Sequence, residues 1–292
     1  MKTLCELFRS MSASLRFLIL MIVVSSFLCP SIGYATEDDA GDNPWEKFGV
    51  NLGVFLFRTD SEFRIGSGVG VDIDVEDILG LDEDDMVFRT DVSWRFSENR
   101  RHRLDFTWFS LNRDGSRKIE DDITVGVGDD EITIEAGNTV DSFFNLDIYE
   151  LAYSYSFFQD DRIDLAALVG LYVMPIDFGI NVSGLVNVNE SEKFTAPLPV
   201  VGLRMDIALA PRWFLRTGTQ IFYLEYDKFK GSIVDVMAAF EYNPWKHVGI
   251  GLGFDLLGVR LEAEGEDWPG IDFNGKVEFI YTGFQLYLRF SY

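Results

Sequence analysis

Residues 282–292 read TGFQLYLRFSY. Phe284, Leu286, Leu288, Phe290 and Tyr292 fall on one parity, and Gly283, Gln285, Tyr287, Arg289 and Ser291 on the other. A period of two with one apolar face marks a β-strand, because successive side chains point to opposite sides of the pleat. The chain that carries this apolar, aromatic stripe has a net charge of −23. Such a stripe needs an apolar environment, and the rest of the sequence indicates which one.

The alternation recurs. MVFRTDVSWRF (86–96) sets Met86, Phe88, Thr90, Val92, Trp94 and Phe96 against Arg89, Asp91, Ser93 and Arg95. RIDLAALVGLYV (162–173) and VGLRMDIAL (201–209) behave in the same way. Ten such segments can be marked, at about 47–58, 86–97, 101–113, 145–158, 162–178, 198–210, 213–226, 232–243, 246–258 and 276–292. Most are long enough to cross a bilayer as tilted strands, which takes about 9–11 residues.

The connections alternate in length. SENR after Phe96, QDD after Phe158, PR at 211–212 and NP at 243–244 are tight turns, whereas 59–85, 114–144, 179–197 and 259–275 are long. Only 227–231 departs from this rule. The arrangement predicts an all-β fold, a transmembrane antiparallel up-and-down β-barrel of ten strands. Eight or twelve strands are the alternatives, since 116–136 can form either a hairpin beyond the membrane or two more staves. Phe96, Phe157, Trp213, Tyr242 and Tyr292 sit beside the tight turns on the apolar parity, an aromatic level of the kind that marks a membrane interface. A soluble periplasmic β-protein is the competing reading.

The N-terminus points to export. Lys2, Arg9 and Arg16 precede the apolar run FLILMIVVSSFLC (17–29), and small residues lead to Ala35. Residues 1–35 therefore read as a cleaved signal peptide, 36–46 as a short periplasmic segment and 47–292 as the barrel. Both cysteines, Cys5 and Cys29, fall in the leader, so the mature chain holds together without disulfides. Losing Lys2, Arg9, Arg16 and Glu6 leaves 22 basic and 47 acidic residues, a net charge of −25 that disfavours nucleic acid as a partner.

The terminal Phe290 and Tyr292 resemble the C-terminal signal that outer-membrane barrels offer to the barrel assembly machinery. In layout the mature chain resembles the small outer-membrane β-barrel proteins of Gram-negative bacteria, loosely grouped with OmpA-like barrels. The resemblance implies location in a Gram-negative outer membrane, lipid and lipopolysaccharide as surroundings, and a monomeric state. It brings no catalytic motif.

The polar parity, turned to the lumen, carries Arg89, Asp91, Arg95, Arg103, Asp105, Glu150, Arg162, Asp164, Arg204, Asp206, Arg216, Asp235, Glu241, Asp255 and Arg289. A ten-stranded barrel is narrow, and buried charges need partners. The expectation is a paired network that plugs the lumen, with a narrow path for ions or small solutes as the alternative. The acidity concentrates in the connections: DIDVEDILGLDEDD (72–85) has eight acids in fourteen residues. Asp82, Glu83, Asp84 and Asp85 form a candidate weak site for divalent cations, without EF-hand spacing. No cofactor is expected otherwise.

A surface hydrolase is the third reading. Omptin proteases and the lipid A-modifying barrels use a histidine near the outer rim. Here the only histidines, His102 and His247, adjoin tight turns on the opposite side. The mature chain has no cysteine, P-loop, G-x-S-x-G or zinc signature. The expectation is a barrel without enzyme activity that has a structural or surface-interaction role.

Overall fold

The computed structural model describes residues 44–65, 73–74, 84–118, 123–127, 130–134, 136–183, 188–226, 229–263 and 275–292. The leader and most of the long acidic connections lie outside them. The described strands are β1 (Phe48–Ile65), β2 (Ile73–Asp74), β3 (Asp84–Arg95), β4 (His102–Lys118), β5 (Ile123–Val127), β6 (Asp130–Ile134), β7 (Thr139–Gln159), β8 (Ile163–Ser183), β9 (Val188–Ala210), β10 (Trp213–Tyr226), β11 (Phe229–Trp245), β12 (Val248–Ala263) and β13 (Gly275–Ser291).

Ten of these form a closed antiparallel barrel in the order β1-β3-β4-β7-β8-β9-β10-β11-β12-β13, and β13 returns to pair with β1. At the closing seam the register places Leu52 opposite Leu288 and Val50 opposite Phe290. β5 and β6 pair with each other in a separate two-stranded sheet, so the 116–136 stretch supplies a hairpin outside the barrel rather than two more staves.

Several strands run farther toward the long-loop end than the sequence pattern predicts: β7 begins at Thr139, β8 ends at Ser183 and β9 begins at Val188. Sequence alternation weakens there because the outward face leaves hydrocarbon and becomes polar, while pairing continues. Asp84 and Asp85 likewise fall within β3, opposite Arg58 and Phe57, and not in a loop. At the other end β11 continues to Trp245, so its turn is Lys246–His247 and not 243–244.

The tight turns have specific backbone solutions. Arg212 follows Pro211 with φ of 73°, and Arg100 has φ of 55°. Proline followed by a positive φ is the arrangement of a type II turn, a position usually given to Gly or Asn. Bulges cluster at the same end, at Ser156/Phe158, Trp213/Phe214 and Tyr242/Trp245. The first lets consecutive Phe157 and Phe158 both face outward, 53% and 46% exposed.

The two faces differ as the alternation requires. Leu56, Met86, Phe88, Leu151, Val169, Leu203, Leu252, Phe284 and Leu286 point outward and are each more than half exposed. A contiguous apolar surface of this extent exceeds what a water-soluble monomer presents. Rings gather at its tight-turn edge, where Trp213 packs 4.4 Å from Tyr242 and the His247 ring stacks on Tyr292.

Candidate functional site: a two-layered barrel interior

The inward parity builds two layers. The layer at the tight-turn end and mid-barrel is charged, and the layer toward the long loops is mainly apolar, with Arg113 buried beyond Leu111 on β4. The charged layer divides again into a balanced cluster at the tight-turn mouth and an acid-rich group above it.

Asp206 on β9 is the hub of the mouth cluster. Its Oδ2 accepts from Arg95 on β3 at 3.2 Å, Arg103 on β4 at 3.2 Å, Arg216 on β10 at 3.5 Å and Arg204 on its own strand. Asp164 on β8 takes Arg95 at 2.7 Å and Arg204 at 3.2 Å. Glu241 on β11 takes Arg216 at 3.0 Å and Arg289 at 3.4 Å, and Asp105 pairs with Arg103 at 2.5 Å. Arg95, Asp164, Asp206 and Glu241 are almost wholly buried.

Glu46 completes the cluster, and sequence periodicity offered no hint of it. It precedes β1 and folds into the mouth, 3.3 Å from Arg216 and 3.4 Å from Arg289. Five guanidiniums, those of Arg95, Arg103, Arg204, Arg216 and Arg289, thus meet five carboxylates, those of Glu46, Asp105, Asp164, Asp206 and Glu241. Burial pushes the Glu46 carboxyl up, but Arg289 and Arg216 outweigh it and hold the group at about 2. Its neighbour Trp45 is 1% exposed, donates Nε1–H to the Asp160 carbonyl at 2.7 Å and lies under the Arg95 guanidinium. Trp45 and Glu46, at the end of the segment expected to trail into the periplasm, therefore cork the mouth.

The mid-barrel group has Arg89 as its cation. Arg89 pairs with Asp91 at 3.0 Å and Asp255 at 2.5 Å, and it lies over the rings of Phe109 and Phe55. Asp91 also accepts from Thr107 and Gln285, each at 3.0 Å. Glu150 and Asp235 are held by neutral donors: Gln220 donates to Glu150 at 2.7 Å, and the Tyr172 hydroxyl to Asp235 at 2.8 Å.

Arg162 does not join either group. It is exposed in the tight turn before β8, because that strand begins at Ile163. The parity count had extended β8 one residue too far. Tyr287 does join: it lies over Gly251, where a Cβ would come 2.1 Å from the ring, and its hydroxyl donates to Glu241 at 3.3 Å.

Toward the long loops the lumen becomes mainly hydrocarbon, although Arg113 is buried there as well. Phe55, Phe109 and Tyr281 meet edge to face with centroids 5.4–5.7 Å apart, and Leu146, Ile148, Met174, Leu198 and Val259 pack with them. The expectation of a lumen filled by paired charges therefore needs correction for this half. Once the outward face turns polar, the extended strands are stabilised by burying their inward face, as in a water-soluble β-structure.

Asp82 and Glu83 of the candidate cation site lie outside the described residues. Among the described residues no three His, Cys, Asp or Glu side chains are grouped to hold a metal ion. Both histidines stand at the tight-turn end: His102 Nδ1 is 2.7 Å from the Tyr153 hydroxyl and His247 Nδ1 is 2.8 Å from the Ser291 carbonyl. Phe290 and Tyr292 face outward, and the Tyr292 carbonyl accepts from Lys47 and Phe48, both at 2.9 Å.

No protein-family model and no curated protein sequence matches the chain. Among solved structures it is similar to the outer membrane protease OmpT from Escherichia coli, with a TM-score of 0.51 at 10% identity, over 87% of this chain and 99% of that one. The transport unit of the autotransporter AIDA-I from Escherichia coli gives a TM-score of 0.40 at 8% identity, over 93% and 97%. The attachment invasion locus protein Ail of Yersinia pestis gives 0.33 at 10% identity, over 84% and 99%. The likeness to OmpT is one of fold: the chain has the architecture of a Gram-negative outer-membrane β-barrel.

Proposed function

We propose that this protein spans the outer membrane of a Gram-negative bacterium as a closed barrel. Its role is structural, and it presents acidic loops to the exterior. The observation that carries this reading is the five-to-five ion-pair cluster at the tight-turn mouth, backed by an apolar core in the opposite half. A conducting pore needs a continuous hydrated path, whereas a balanced network of buried pairs that fills the lumen is held in place by the cost of breaking any one of them. The tight turns and the Trp45–Glu46 cork face the periplasm, and the long loops face outward. The acidic connection between β1 and β3 would contact lipopolysaccharide phosphates through divalent cations. Phe290 and Tyr292 would present the lipid face to the assembly machinery.

The test is conductance together with fractionation. The protein is expected with outer membranes, to migrate differently on unboiled gels, and to show no steady conductance in planar bilayers. A stable open pore would favour the alternative, a narrow path for ions or small solutes. The feature behind that alternative is the mid-barrel group, where Asp91 and Asp255 pair with Arg89 while Glu150 and Asp235 are held by the neutral donors Gln220 and Tyr172.

A further inference from the structure

Closure of the barrel is complete only in its tight-turn half. The β9–β10 ladder runs from Ala210/Trp213 to Val201/Ile221 and stops, although β9 begins at Val188 and β10 continues to Tyr226. The β3–β4 ladder stops at Arg89/Phe109, although both strands continue. The other barrel pairs stay in register to the long-loop end of the shorter strand, as at Arg58/Asp84, Tyr226/Phe229 and Gly275/Ala263. The upper wall is therefore two sheets, of four strands (β4-β7-β8-β9) and six, with a seam at each junction.

Two independent features mark the β9/β10 seam as an opening. Pro199 and Pro197 follow Val201 on the unpaired part of β9. A proline brings no N–H to an unpaired edge, so this edge exposes fewer orphan donors than another sequence would. In hydrocarbon an orphan N–H is costly. Second, among the described residues three inward apolar side chains packed against the buried core are only partly buried: Phe222 and Leu224, which border this seam, and Val87, which borders the other. Val201 and Ile221, the last paired residues, face outward at 56% and 42% exposure, so the seam opens from within the lipid-facing belt.

We propose that the β9/β10 seam is a lateral slot that receives an acyl chain of an outer-leaflet lipid against Phe222 and Leu224. This rests on the membrane-spanning reading above. A hydrocarbon chain fits because Pro197 and Pro199 on the β9 flank and the inward Phe222 and Leu224 are apolar, with the Tyr223–Glu225 pair at the outer rim of the β10 flank, and because a chain lying along the slot leaves bilayer hydrocarbon for protein hydrocarbon. Extrapolating the ladder past Val201/Ile221 would bring Pro199 opposite Tyr223, so the two edges can be joined at will.

The test is photolabelling of the full chain in phosphatidylethanolamine/phosphatidylglycerol vesicles, with a phosphatidylethanolamine carrying a diazirine in its acyl chain. Adduct sites are read by peptide mass spectrometry. Leu252 and Leu286, outward on the closed wall, report embedding in the bilayer. Ile233 and Val259, inward on the closed wall, give the background. Labelling of Phe222 and Leu224 well above Ile233 is the expected result. Labelling of Leu252 and Leu286 with Phe222 and Leu224 at background overturns the slot and leaves the membrane reading standing. Background labelling at all six sites removes the membrane reading itself. Pro197→Val with Pro199→Val should zip the ladder and return Phe222 and Leu224 to background. A Pro199→Cys/Tyr223→Cys pair should do so only when oxidised, since no cysteine occurs between residues 30 and 292. Inward adducts that persist in the zipped or oxidised chain overturn the proposal. So does a Pro199→Cys single variant that forms disulfide-linked dimers in vesicles, which would assign the edge to a second copy.

Discussion

Arg95 on β3 reaches Asp206 on β9 at 3.2 Å, a bond that crosses the barrel between strands 111 residues apart. Both groups are nearly inaccessible to solvent, and Asp206 takes three further guanidiniums. One carboxylate thus ties four strands together, and its loss leaves an excess positive charge in a dry interior.

Replacing that carboxylate should be costly. Asp206→Asn is expected to destabilise the barrel by about 3–5 kcal/mol, the range for breaking a buried ion pair. Combining it with Arg204→Met restores four cations to four carboxylates and should recover part of the loss. Urea midpoints in lipid vesicles would measure both. If the double variant is as unstable as the sum of the singles, charge balance is not what holds the cluster.

Glu46 makes the stability acid-sensitive. Its pKa falls from 4.5 to about 2 on folding, so the folded state binds fewer protons than the unfolded one. The contribution is fully present above pH 4.5 and is lost as pH falls toward 2. By linkage it amounts to roughly 3 kcal/mol. Glu46→Gln should lower stability at pH 7 and flatten the decline between pH 4.5 and 2. An unchanged acid profile would mean that the N-terminal cork contributes little.

Tyr292 has two separable roles. Its carbonyl accepts from Lys47 and Phe48, while its ring lies 82% exposed beside His247. Deleting the residue removes both. Tyr292→Lys keeps the carbonyl and places a charge at the lipid-facing edge, where a cation costs about 0–1 kcal/mol. If recognition during assembly depends on the aromatic, Tyr292→Lys should reduce the folded fraction in outer membranes nearly as much as the deletion. Normal insertion of Tyr292→Lys would leave only the backbone role.

Gly251 is held small by Tyr287, whose ring occupies the space a side chain would need. Gly251→Val should overpack the mouth cluster and cost about 1–3 kcal/mol. Tyr287→Ala in the same chain should relieve much of this while losing the hydroxyl bond to Glu241. Additive losses in a thermal or urea series would show that the strain lies elsewhere.

While only the pairing of β5 with β6 outside the barrel fixed the strand count, two-residue alternation along segments such as 86–96 and 282–292 is enough to identify strands and their lipid-facing parity and, with the spacing of the turns, to favour ten strands over eight or twelve. These are local properties, since a side chain's face follows from its position in the pleat and a tight turn joins neighbours in sequence. The lumen charges were legible as a set for the same reason. Which charge meets which was not, because Asp206 gathers Arg95, Arg103 and Arg216 from strands brought together only by closure. Glu46 and Trp45 carry no periodic signal and acquire their role only when the mouth forms around them. The apolar upper core and the β9/β10 seam also depend on where each strand leaves the hydrocarbon and where its ladder ends, which is decided by register between strands and not by any strand alone.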